Sequence, residues 1–88
     1  MPSKTVTVGS RVGLHLRPAQ LIAESAATFD AAVRLGRPGA EPVDARSSLL
    51  IMTLGAGPGT ELEVTSDDPA AVERIAALVA EDLDASGS

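Results

Sequence analysis

The amino-acid sequence predicts an α+β fold, a two-layer sandwich with helices on one face of a β-sheet. Segments with two-residue and 3.6-residue hydrophobic periods follow one another in the order strand, helix, two strands, helix, strand, helix. The strand segments alternate polar and apolar residues, so one sheet face is expected to be open to water and the other covered. The length of 88 residues suits one domain with one modest core, which we place at residues 1–88.

Composition narrows the class of protein. Apolar residues make up 44% of the chain and Phe29 is the sole aromatic residue, so we expect a core of small aliphatic side chains. The lack of cysteine excludes disulfides and thiolate metal sites, and the single histidine argues against a zinc site, so we expect no metal. The net charge of −5 argues against nucleic acid as a partner. No stretch resembles a signal peptide or has the length of a bilayer span, which predicts a cytoplasmic protein without a membrane partner.

The first half of the chain is predicted to hold two strands and one helix. Residues Lys4–Val8 alternate polar and apolar side chains, as in a strand with one buried face. An amphipathic helix is expected over Leu16–Thr28, with Pro18 in its first turn, where a missing backbone N–H costs little. Residues Ala31–Leu35 form the next alternating segment, and the turn residues glycine and proline follow it.

A short strand and a short helix come next. The strand is expected near Pro42–Val43, and its proline favours an edge position in the sheet. Ser47 or Ser48 is expected to cap a helix that continues through Leu54 and is closed by Gly55. Periodicity predicts that Ile51 and Leu54 are buried in this helix.

The last strand and helix give the clearest patterns. Residues Thr60–Thr65 alternate strictly, which predicts a strand. Asp67 or Asp68 is expected to cap the final helix, with Pro69 in the first turn. The helix carries an apolar stripe, and the polar tail from about Asp84 is expected to fray; the stripe is Val72, Ile75, Ala76, Val79 and Leu83.

The segment Gly13-Leu14-His15-Leu16-Arg17-Pro18-Ala19 contains the only histidine of the protein, placed where the first helix begins. The N-terminal turn of a helix offers unpaired backbone N–H groups that bind anions. Both this helix end and the nearby Arg17 disfavour a charged imidazolium, so we expect His15 to be neutral and nucleophilic.

A phosphoryl group on His15 would lie beside the N–H groups of Leu16 and Arg17, and the Arg17 guanidinium could add a bidentate contact. Phosphoryl transfer needs positioning and charge stabilisation more than covalent machinery, so these groups suffice. Spacing alone leaves a second interpretation open, in which His15 is a helix-capping or surface residue of a plain structural domain.

The second helix raises a separate question. If Ile51 and Leu54 are buried, then Leu49, Leu50 and Met52 are at least partly exposed. An exposed apolar patch beside a phosphoryl site suggests a surface for partner proteins. Burial of the same residues under a loop is the alternative.

The motif resembles the active-site signature of HPr, the histidine phosphocarrier of the bacterial phosphoenolpyruvate:sugar phosphotransferase system. The resemblance covers the length, the element order, the place of His15 in Gly-Leu-His-x-Arg-Pro-Ala and the Thr53-Leu54-Gly55 end of the second helix. It implies a four-stranded antiparallel sheet covered on one face by three helices. It also implies that His15 accepts phosphate on Nδ1 from phosphorylated enzyme I and passes it to IIA proteins, with Arg17 as the second catalytic residue.

The resemblance further implies a docking surface on the second helix and the start of the first, made of Leu16, Gln20, Ser48, Leu49 and Met52. This sequence departs from the family at Leu16, where a small or polar residue is usual, and at Ser48, where an aliphatic one is usual.

A regulatory position is also implied by the resemblance. Ser47 aligns with the serine that an HPr kinase phosphorylates in some bacteria, although Leu50 replaces the glycine typical of such sequences. Phosphate at Ser47 would place charge in an apolar docking surface. An N-cap serine without regulation is the other interpretation.

Together these observations predict a monomeric phosphocarrier rather than a complete enzyme, with no cofactor of its own. The resemblance implies that phosphoenolpyruvate and magnesium act at enzyme I. One alternative is a regulatory binding module of the same fold, switched at Ser47. Another is a carrier that serves nitrogen regulation or dihydroxyacetone metabolism.

Overall fold

The computed structural model describes residues 2–9, 11 and 13–81. Within them the strands are β1 (Ser3–Thr7), β2 (Val33–Gly36), β3 (Val43–Asp44) and β4 (Glu61–Ser66), and the helices are α1 (Leu16–Ala26), α2 (Ser48–Thr53) and α3 (Pro69–Ala80). The strands form one antiparallel sheet in the spatial order β1-β4-β2-β3. The predicted element order, the antiparallel sheet and the two-layer class are confirmed.

The sheet separates a buried face from an open one because its strands alternate. In β4, Leu62 and Val64 are fully buried, whereas Glu61 is exposed on the other face. In β2, Val33 and Leu35 are fully buried and Arg34 is exposed. Strand β3 lies at the edge of the sheet, as the preceding proline predicts.

The helices cover the buried face with small and aliphatic side chains. Helix α1 packs against α2 and α3, and α3 packs against β1 and β4. The buried residues of α1 are Pro18, Ala19, Ile22, Ala23 and Ala26. The buried residues of α3 are Ala71, Val72, Ile75, Ala76, Leu78 and Val79. The alanines let the helices approach closely, which compensates for the scarcity of aromatic residues in this core.

The predicted helix caps of α2 and α3 are confirmed. The Ser47 hydroxyl accepts a hydrogen bond from the Leu50 N–H at 3.2 Å, and an Asp68 carboxylate oxygen accepts one from the Ala70 N–H at 2.9 Å. Pro69 occupies the first turn of α3.

Some boundaries differ from the predictions. Helix α1 ends at Ala26 rather than Thr28, because the chain tightens there into bonds from the Thr28 N–H to the Ser25 carbonyl and from the Phe29 N–H to the Ala26 carbonyl. Strand β2 begins at Val33 rather than Ala31.

The loop before β2 is held by hydrogen bonds from one arginine side chain. The Arg46 guanidinium donates to the carbonyls of Phe29, Asp30 and Ala31 at 2.7, 3.3 and 3.5 Å. These bonds hold the connection between α1 and β2 outside the sheet.

One further boundary and one burial prediction also differ. Strand β1 ends at Thr7, although Val8 beyond it is buried as expected and Val6 packs partly against the core. Leu54 is half-buried rather than buried, because α2 ends at Thr53 and Leu54 lies at its exposed end. Leu83 and the tail from Asp84 lie outside the described residues.

Within the described part of the chain, no helix is long and apolar enough to cross a membrane.

Candidate functional site

His15 is the N-cap residue of α1, and its side chain is exposed. Its carbonyl accepts the first helical hydrogen bond, from the Ala19 N–H at 3.0 Å, while its imidazole does not cap the helix. The first-turn N–H groups of a helix have no acceptor within the helix, and Pro18 has no N–H. The backbone N–H groups that follow His15 in this turn are therefore those of Leu16 and Arg17.

Gly13 fixes the approach of the chain to His15. Its φ of +82° is one that residues with a side chain rarely adopt. A Cβ built on it would lie 2.6 Å from the Ala56 carbonyl oxygen and 3.0 Å from the Gly57 Cα. The two backbone segments consequently touch at this point, and only glycine fits between them.

Leu14 completes this junction. Its N–H donates to the Ala56 carbonyl at 2.9 Å, and its side chain is 5% exposed. The residue before His15 is thus buried and bonded to the loop that follows α2. His15 is positioned by backbone contacts on both sides, Leu14 before it and Ala19 after it.

The imidazole borders an open depression of about 320 Å³. The depression is lined by Leu14, His15, Met52, Gly55, Ala56 and Gly57. It joins the start of α1 to the segment that follows α2.

The predicted second catalytic residue, Arg17, lies in the first turn of α1 and is exposed. Among the described residues, its side chain takes part in no hydrogen bond or ion pair. The guanidinium is therefore available for an anion near His15. No group of three histidine, cysteine, aspartate or glutamate side chains that could hold a metal is present in the described residues.

The residues predicted for partner docking lie on two helices that contact each other. Leu16 is 55% exposed, Leu49 is 70% exposed and Leu50 is 41% exposed. Met52 packs partly against the core and lines the depression, which joins α2 to the histidine site. The predicted partial exposure of the α2 side chains is confirmed; Gln20 is exposed and Ser48 is half-buried.

Sequence reasoning missed two features of this site. The first is the Ala56 carbonyl, which accepts the Leu14 N–H, although the glycines and proline after Ala56 indicate only a loop. Arg37 was not singled out, yet its guanidinium donates to the carbonyls of Leu54 and Gly55. No local sequence pattern links Arg37 to residues 17 and 18 positions away, so only the fold reveals the contact.

Comparisons with known proteins agree with this arrangement. The family model described as the PTS HPr component phosphorylation site matches residues 2–81. The phosphocarrier protein HPr of Streptomyces coelicolor is 39% identical over 96% of this chain and 94% of its own length. The phosphocarrier protein NPr of Klebsiella oxytoca is 30% identical over 88% of this chain and 86% of its own.

A solved structure gives the same result for the fold. The crystal structure of HPr from Bacillus anthracis superimposes with a TM-score of 0.81 and 33% identity, covering 89% of this chain and 95% of that one. Fold and relatives together define a small phosphocarrier protein of the phosphotransferase system. Within that class, the chain belongs to the HPr family. The resemblance found in the sequence is confirmed.

Proposed function

We propose that this chain, as a single domain over residues 1–88, is a cytoplasmic carrier that accepts a phosphoryl group on His15 from phosphorylated enzyme I and passes it to IIA proteins. One observation carries the proposal. His15 is exposed at the N-terminus of α1, bordering an open depression, with the N–H groups of Leu16 and Arg17 directly after it. An exposed histidine suits a carrier, because donor and acceptor must each reach it.

The chemistry is an exchange of one bond to phosphorus for another. The lone pair of an imidazole nitrogen, Nδ1 by the family resemblance, attacks phosphorus, and the bond from phosphorus to the donor breaks with its electron pair leaving on the donor. The second transfer repeats the exchange in the other direction. The phosphoryl group on His15 carries up to about two negative charges. Backbone donors of Leu16 and Arg17 and the Arg17 guanidinium stabilise that charge.

Donor and acceptor proteins dock, in this proposal, on the exposed apolar surface of α1 and α2. Its centre is Leu49, which is 70% exposed, with Leu16 at 55%; Gln20, Ser48 and Met52 complete it. Burial of apolar side chains contributes about 25 cal/mol per Å², so these leucines favour association with an apolar partner surface. The protein works as a monomer and needs no cofactor, since its partners provide the rest of each active site.

Ser47 is the proposed site of regulatory phosphorylation by an HPr kinase. Its hydroxyl already accepts the Leu50 N–H, and phosphate oxygens accept such bonds at least as well. Phosphorylation would leave α2 capped but would place about two negative charges beside the exposed leucines. We therefore expect inhibition of docking without unfolding.

Relatives of this chain include proteins called HPr and proteins called NPr. The identity of 39% to the S. coelicolor HPr exceeds the 30% to the K. oxytoca NPr. This difference favours partners of the HPr type.

The test is incubation with enzyme I, phosphoenolpyruvate and magnesium, followed by intact-protein mass spectrometry. We expect the mass of one phosphoryl group on the wild-type chain, labile in acid and stable in base. The variant His15→Ala should gain none, whereas Arg34→Ala, altered on the open sheet face, should behave as wild type. A mass gain that persists in His15→Ala would refute the proposal, as would no gain in the wild type.

A further inference from the structure

Arg37 makes a contact that the proposed reaction does not explain. It follows β2, and its guanidinium crosses to the far end of α2. There Nη2 donates to the Leu54 and Gly55 carbonyls at 3.3 and 3.2 Å, and Nε donates to the Leu54 carbonyl at 3.4 Å. These bonds are long, so the attraction between the cation and the carbonyl dipoles matters more than hydrogen-bond geometry.

The backbone of Arg37 is held in place for this contact. Its carbonyl accepts the Ala40 N–H at 3.0 Å, which closes a turn with Pro38 and Gly39 at the central positions. Gly39 has a φ of +81°, the value that a type II turn requires at its third residue. The stem of the side chain therefore starts from a fixed point, and less entropy is lost when the guanidinium reaches α2.

The end of α2 needs a cation for an electrostatic reason. The last carbonyls of a helix lack partners within the helix and carry a partial negative charge. Gly55 and Ala56 at this end line the same depression as His15. The negative end of α2 thus lies beside the depression, and the guanidinium of Arg37, bound at the Leu54 and Gly55 carbonyls, offsets part of its partial charge.

The same contact is mechanically linked to His15. The segment that Arg37 holds at Leu54 and Gly55 continues to Ala56, whose carbonyl accepts the N–H of Leu14. Leu14 precedes the histidine. If residues 54–56 shift, the Leu14 bond shifts with them.

We infer that Arg37 is a positioning residue of the phosphoryl site: it fixes the end of α2 against the His15 segment and offsets the negative partial charge at that helix end. The inference rests on the proposed function. Arg37 itself does not touch the reacting atoms, so its effect should appear in the rate of transfer after docking.

The test compares Arg37→Ala with Arg34→Ala, a matched control three positions away on the exposed face of β2. The first measurement is amide hydrogen exchange of Leu14 relative to amides of the central strand β4. Arg37→Ala should speed the Leu14 exchange about two- to fivefold, which is the factor that corresponds to losing the stabilisation by a cation at a helix C-terminus. Arg34→Ala should not change the exchange rate. Exchange of Leu14 that is equal in the two variants would overturn the inference.

The second measurement is the rate of transfer from phosphorylated enzyme I. Arg37→Ala should lower the maximal rate about tenfold, because small misplacements of a nucleophile are costly, while the half-saturating enzyme I concentration stays unchanged. Arg37→Lys, which keeps the charge, should recover part of the rate, and Arg37→Gln should recover none.

The two hypotheses fail in different ways. If wild type and Arg34→Ala both accept no phosphoryl group, the proposed function fails and takes the inference with it. If both accept it and Arg37→Ala transfers equally fast, only the inference fails. A lower apparent affinity for enzyme I at an unchanged maximal rate would also overturn it, because Arg37 would then belong to the docking surface.

Discussion

Replacement of Gly13 by alanine tests whether the His15 segment depends on its contact with the loop after α2. A side chain at a φ of +82° costs about 1–2 kcal/mol. The added Cβ would also lie 2.6 Å from the Ala56 carbonyl oxygen, a backbone atom that can retreat only by moving its segment. That movement breaks the bond from the Leu14 N–H to the same carbonyl, worth about 1 kcal/mol. We expect Gly13→Ala to lower the free energy of unfolding by about 3 kcal/mol.

Two other glycines separate these contributions. Gly55 has a φ of +61° with no atom within 4 Å of a built Cβ, so Gly55→Ala should cost only the backbone strain, about 1 kcal/mol. Gly57 has neither a positive φ nor an atom within 4 Å, so Gly57→Ala should be neutral or stabilise by up to about 1 kcal/mol. The three variants form a series in which strain and collision are added one at a time.

The assay is urea denaturation followed by far-UV circular dichroism, since the chain has no tryptophan or tyrosine for fluorescence. A loss of 3 kcal/mol is a large share of the roughly 5–15 kcal/mol of a typical domain, and the melting temperature should fall by roughly 15 °C. The reasoning would be refuted if Gly13→Ala cost no more than Gly55→Ala, because the contact with Ala56 would then contribute nothing.

Further predictions concern α1 and α2. Arg17→Ala should slow phosphoryl transfer in the enzyme I assay but leave the free energy of unfolding within about 0.5 kcal/mol, because the side chain is exposed; a larger loss would make Arg17 structural. Ser47→Ala should cost about 1 kcal/mol in urea denaturation through loss of the helix cap, while Ser47→Asp, which keeps an acceptor, should not. Leu49→Ser should raise the half-saturating enzyme I concentration with stability nearly unchanged, whereas Ile51→Ala, fully buried two residues later, should cost about 2–5 kcal/mol. Equal losses of stability at these two positions would contradict the assigned burial.

The fold could be predicted from the sequence because nearly every element carries its own local signal. Strict alternation marked β4, and Asp68 with Pro69 marked the start of α3. The errors lie at element boundaries, and at least one of them accompanies a distant contact. Strand β2 starts late where Arg46 holds the carbonyls before it, and this arginine is 15 to 17 residues away. Local periodicity contains no information about such a contact.

Of the candidate site, only the part contributed by the start of α1 was predictable from the sequence. His15, Leu16 and Arg17 are consecutive, so the start of a helix and its donors follow from one motif. The other part comes from Ala56 and Gly55, some forty residues later, where the sequence shows only a glycine-rich loop. Any glycine permits a sharp turn, but the contact with Ala56 that makes glycine necessary at position 13 is visible only in three dimensions.

A carrier has conflicting requirements that this structure meets by separating exposure from rigidity. Under the proposed function more than one partner must reach His15, so side chains cannot enclose it, and yet phosphoryl transfer demands a well-placed nucleophile. Here the restraint comes from the backbone and from buried neighbours of His15. The Leu14 N–H is bonded to the Ala56 carbonyl, and Pro18 and Ala19, in the first turn of α1, are buried in the core. Substitutions beneath the site should therefore change stability and transfer together, whereas substitutions at exposed positions such as Arg17 should change transfer alone.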